Sequence, residues 1–115
     1  MAWKNYTDLP NATLKRIYRQ VCPNLGPHDV VAFDDESGDG YGVAMDRGSG
    51  PRRVLIAVPR TDAAAQRTGW RGRLEVFTWL LAHELRHLWW AEQPDREYDA
   101  NGYASMMVRV AREKY

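Results

Sequence analysis

The sequence predicts an α+β domain: an N-terminal helix, a small three-stranded twisted sheet, and two helices at the C-terminal end. Three observations carry that expectation. Apolar residues recur at helical spacing early in the chain, three short runs rich in Val and Ile follow, and two long helical patterns close it. At 115 residues, with 44% hydrophobic and 27% charged, there is material for one modest core, residues 1–115, and not for two.

Asn11 to about Cys22 reads as an amphipathic helix with Leu14, Ile17, Tyr18 and Val21 on one side, bounded by Pro10 and by "CPNLGP". "DVVAF" (29–33), "YGVAMD" (41–46) and "RVLIAV" (53–58) read as strands. The intervening "DDESGDG" and "RGSGP" are turn chemistry, and the second suits a tight hairpin. "PRTDAAAQRTGWRG" (59–72) is a connector with room for a short helical piece. Two helices are then expected over roughly 72–92 and 96–113, broken at "QPD", where Pro94 and Asp95 suit a helix start.

Composition narrows the function classes. No run approaches the roughly 20 apolar residues of a membrane span, and "MAWKNYTDLPNATLKR" lacks the basic and apolar regions of a signal peptide. A lone cysteine, Cys22, fits a reducing cytoplasm. A net charge of +1 makes no global electrostatic case for nucleic acid. The charge is unevenly spread, however. Asp29, Asp34, Asp35, Glu36, Asp39 and Asp46 precede an arginine-rich segment, 47–73, that holds Arg47, Arg52, Arg53, Arg60, Arg67, Arg71 and Arg73. Two solvated faces are the expected meaning, with a binding patch as the alternative.

The chemistry concentrates in "LLAHELRHLWWAEQPDREYDANGYA", 80–104. At about 100° per residue, His83 and His87 lie roughly 40° apart on one helical face, so two imidazoles can reach one metal ion at about 2.0–2.1 Å. Glu84 sits about 100° round the helix, off the ligand line but within reach of a water beside the ion, where a general base is wanted. Leu74, Phe77, Leu81, Leu85 and Leu88 form one apolar face of this helix. Val76, Leu80, His83 and His87 form another, and Glu75, Ala82, Arg86 and Gln93 trace a narrow solvent stripe.

Catalytic zinc normally takes three protein ligands. Of the two carboxylates in "DREYDANGYA", Glu97 shares a small apolar face with Ala100, Asn101, Ala104, Val108 and Ala111, while Asp99 points about 160° away. Geometry selects Glu97, and Asn101, one turn on, is placed to hydrogen-bond a ligating histidine. "DESGDGYGVAMD" (35–46) partly mimics a calcium loop, but it lacks the terminal Glu and sits between strands, so a polar loop is expected. Of the five tryptophans, Trp70 on the connector is the one expected near a cleft.

H-E-x-x-H followed by Glu97-Tyr98-Asp99-Ala100-Asn101 resembles the gluzincin metallopeptidases. The element order and short interval are most similar to the compact minigluzincins and to related phage and regulatory peptidases. The likeness covers about residues 41–111, its specific part 83–101. It implies a zincin-like fold with an active-site helix and a ligand helix, Zn2+ bound by His83, His87 and Glu97, and Glu84 as general base and proton shuttle. It implies an extended peptide paired to a sheet strand along the cleft, with "YGVAMD" and "RVLIAV" both open for that part. Nothing matches the family's oxyanion stabiliser by motif; Tyr103 is the first candidate, with Tyr98, His28 and Arg86 behind it. Two other readings stay open. One is a peptidase with a single dedicated protein substrate; the other is a non-catalytic zinc-containing module that uses segment 47–73 to bind an acidic partner or nucleic acid.

Overall fold

In a computed structural model the chain is described over residues 3–21, 28–36, 38–45, 52–89 and 97–114, with backbone alone at 28, 45, 88, 89, 97–99, 113 and 114. The elements run β1 (Trp3–Asn5), α1 (Asn11–Val21), β2 (His28–Asp35), β3 (Tyr41–Met45), β4 (Arg52–Pro59), α2 (Asp62–Gln66), α3 (Arg73–Trp89) and α4 (Glu97–Lys114). The α+β class and the expected helices and strands are present. The "RGSGP" and "QPD" segments lie outside the described residues.

The expected three-stranded sheet is a mixed four-stranded one, ordered β1-β2-β4-β3. β1 and β4 flank β2 in parallel, and β3 runs antiparallel to β4 at the edge. β1 escaped the sequence because three residues carry no readable alternation and its partner is distant: Trp3 aligns with Val30 and Asn5 with Ala32. Its anchor is the Trp3 indole, which donates to Asn11 Oδ1 at 2.9 Å and meets the Tyr18 ring edge-on at 5.9 Å.

Alternation along β2 and β4 explains the core. Val30, Ala32, Val54, Ile56 and Val58 share one face of the sheet and join Leu14, Ile17, Phe77 and Leu81 in a single buried cluster. Each of these Val, Leu, Ile and Phe side chains contributes about 1.5–3 kcal/mol by burial. On the opposite face Tyr41 and Val43 stay exposed, and Phe33 meets Tyr41 at 6.0 Å.

α3 departs from its expected faces. Ala82, expected on the solvent stripe, is buried, as is Thr78, whereas Leu74, expected on an apolar face, is exposed. The cause is a second cover: α4 packs along α3 through Ala100, Ala104 and Val108, extending the dry arc beyond the sheet-facing side. At the start of the helix, the Arg73 guanidinium meets Asp8 at 2.7 Å and Asp34 at 2.9 Å and donates to the Pro59 carbonyl at 2.8 Å. No helix among the described residues is long and apolar enough to cross a membrane.

Candidate metal centre

The C-terminal half of α3 brings His83 and His87 together. Their Nε2 atoms lie 3.1 Å apart and the rings meet nearly edge-on, 4.7 Å between centroids. Two ligands at about 2.0–2.1 Å from a tetrahedral ion stand about 3.3 Å apart, so the pair fits one shared ion. It fits equally a hydrogen bond in which one Nε2 carries the proton and the other accepts. The Glu84 carboxylate is beside them, Oε1 4.0 Å from His83 Nε2. His83 and Glu84 are buried and His87 half-buried, so all three sit where solvent screening is weak.

Neighbouring elements fix this geometry. Trp79, one turn before His83, stacks on its imidazole at 4.8 Å and 19°. The Trp79 indole donates to Ser105 Oγ at 3.2 Å, so α4 holds the ring that backs the histidine. On the other side lies β3, an edge strand of the sheet among the described residues; β4, the other strand considered for peptide pairing, is flanked by β2 and β3. A cavity of about 270 Å³ lies further back along α3, lined by Asp39, Thr68, Trp70, Val76, Trp79 and Leu80; it reaches the site only through Trp79, and neither histidine nor Glu84 lines it. Trp70 is half-buried there, with the Arg112 guanidinium 5.8 Å over its ring.

The remaining candidates fare differently. Glu97 is the first residue of α4, and its side chain, with those of Tyr98 and Asp99, is outside the described residues, as is that of His28. Among the described residues no group of three His, Cys, Asp or Glu forms that could hold an ion. Asn101 is exposed while Ala100 and Ala104 are buried, so the inward face of α4 is narrower than expected and the reason for pairing Asn101 with a histidine falls away. Tyr103 is engaged elsewhere in the fold. Its hydroxyl donates to the Val21 carbonyl at 2.7 Å, capping the end of α1, and its ring lies under the Arg86 guanidinium at 5.3 Å. A phenol has one proton to give, and this one is committed to the backbone.

Of segment 35–46, Asp35 closes β2 and residues 41–45 form β3, with Asp35 Oδ2 accepting the Gly40 N–H at 3.0 Å between them; residues 37 and 46 lie outside the described residues. The acidic and basic runs are not two separate solvated faces. Arg53 meets Asp29, Arg60 meets Glu36, Arg67 meets Asp39 and Arg73 meets Asp34, at 2.9–3.8 Å.

Sequence reasoning passed over Gly42, Trp79 and Ser105. A glycine inside a strand and an aromatic four residues before a candidate ligand were signals for the first two. Nothing local marked Ser105. No protein-family model matches the chain, and no curated protein or solved structure matches it.

Proposed function

We propose that this protein is a small zinc peptidase of gluzincin type. The observation that carries the reading is a pair of imidazoles with Nε2 atoms 3.1 Å apart beside a buried carboxylate 4.0 Å away, on one helix and under a strand that is an edge of the sheet among the described residues. His83 and His87 would hold the ion, with Glu97 as third ligand from the first turn of α4. Bound there, zinc supplies the positive charge that polarises a scissile carbonyl and acidifies a water.

The chain's own residues do the rest. An extended peptide adds to the edge of β3 through main-chain hydrogen bonds, which brings its backbone alongside Glu84. Glu84 takes a proton from the attacking water as the C–O bond forms, then passes it to the amide nitrogen as the C–N bond breaks. The products are a carboxylic acid and an amine, and Glu84 ends ionised as it began. The cavity walled by Trp70 and Trp79 receives a substrate side chain. The pairing of Arg53, Arg60, Arg67 and Arg73 with the chain's own acids leaves little support for a module that binds anionic partners through this segment.

Elemental analysis of protein purified without chelators tests the reading, comparing wild type with His87→Ala and Glu97→Ala. The expected result is about one zinc per chain, weakened in both variants. A metal-free wild type that folds and takes up no zinc on titration overturns it. A chain that binds zinc yet leaves casein intact points to the narrower form, a peptidase with one dedicated protein substrate.

A further inference from the structure

The geometry points to Gly42 as the residue that positions Glu84. A Cβ placed on Gly42 would lie 2.8 Å from Glu84 Cγ, 3.2 Å from its Oε1 and 3.3 Å from its Cδ. Carbon atoms do not approach that closely, so any side chain at position 42 displaces something. The backbone itself does not ask for glycine: Gly40 and Gly69 adopt positive φ and Gly42 does not. Glycine weakens a strand interior, and here the space taken by Glu84 is what requires it.

The strand is the less able of the two to yield. Gly42 is aligned with fully buried Ile56 of β4. Two residues earlier, the Gly40 N–H is held by Asp35, and Gly40 is packed so tightly that a Cβ there would meet the Ala57 carbonyl oxygen at 2.8 Å. Tyr41 is braced on Phe33. α3 is fixed from the other side by Leu81 and Leu85, both fully buried. With both backbones held, the Glu84 side chain is the part that moves, and its carboxylate leaves the position it holds 4.0 Å from His83 Nε2. Gly42 is thus a positioning residue that acts through Glu84. Its catalytic consequence rests on the reading of Glu84 as general base; its contact with Glu84 does not.

A double-mutant cycle in the metal-free protein tests the contact first, using Gly42→Ala, Glu84→Ala and the pair. Gly42→Ala alone should lower Tm by about 4–8 °C, and by less than about 2 °C when Glu84→Ala is also present. Equal lowering in both backgrounds overturns the proposal, whatever the protein's activity.

The second arm uses zinc-loaded protein and fluorescein-labelled casein. Gly42→Ala should keep its zinc, lower kcat about 10- to 100-fold and leave KM within about twofold. Should wild type not cleave casein, the visible absorption of cobalt-loaded protein takes its place: Gly42→Ala should change it as Glu84→Ala does. An unchanged kcat or an unchanged spectrum overturns the positioning role. Failure of the peptidase reading alone would show as absent metal binding with the stability cycle still coupled.

Discussion

The two halves of α3 carry their polar groups in different ways. In the first half, every charged side chain is matched by an opposite charge from another part of the fold. Arg73 reaches Asp8 and Asp34, and Glu75 takes both the Nε and, at 2.7 Å, an amino group of Arg112. In the second half, His83, Glu84 and His87 are gathered against one another, two of them buried, beneath β3, an edge strand among the described residues. Folding accounts for the first set, because those pairs tie α3 to β2 and α4. The second set instead concentrates two imidazoles and a carboxylate in a dry place, the donor types that a zinc ion takes. One helix therefore holds a structural joint at its start and a candidate reaction centre at its end.

The sharpest way to separate the halves is Glu84→Gln. It should reduce peptide hydrolysis by about 10²–10⁴-fold while zinc content and Tm stay near wild type, read by casein cleavage and elemental analysis. Activity that survives in full would remove Glu84 as the base.

In the first half the effects should fall on stability instead. Arg73→Met keeps much of the aliphatic bulk but strips a largely buried guanidinium from Asp34 and the Pro59 carbonyl. A loss of about 2–4 kcal/mol is expected in urea unfolding, the Asp8 pair contributing little because that acid is exposed. Zinc content of the folded fraction should not change.

Glu75→Gln should cost about 1 kcal/mol at neutral pH, with a signature in acid. The hydrogen bond from Arg112, before any other cause, holds the Glu75 carboxyl below its ordinary value of 4.5. A carboxyl depressed on folding contributes stability that is fully present above that ordinary value and lost as pH falls through the lower, folded one. The gap between wild type and variant should therefore close on acidification below 4.5, measured as urea midpoints across pH. A gap that persists into strong acid would mean the ion pair is not its source.

The smallest effect is expected for Tyr103→Phe, about 0.5–1.5 kcal/mol from the lost bond to Val21. Its hydrolysis of casein should match wild type. A large drop in kcat would restore the phenol to the reaction.

What the sequence made legible follows from range. Helical periodicity is local, so α1, α3 and α4 could be read to within a few residues, and the i, i+4 spacing of the histidines placed both on one face. Sheet order is not local. β4 lies between β2 and β3 although β3 precedes it in the chain, and β1 is a strand only because β2 is there to pair with it. The same limit explains Tyr103: its acceptor lies 82 residues away, so nothing nearby revealed that the hydroxyl was committed. Arg53 and Asp29 are brought together by parallel register, which segment composition cannot show. Asn101 is exposed beside buried Ala100, because how far the dry face of a helix extends depends on what packs against it.

The stacking of Trp79 on His83 has an optical consequence. An indole in van der Waals contact with an imidazole senses what that imidazole binds. Copper or cobalt seated on His83 would drain the excited state of Trp79 and dim its emission, while diamagnetic zinc would leave most of it. With the other four tryptophans replaced by phenylalanine, the remaining fluorophore would report occupancy in real time, independently of any substrate.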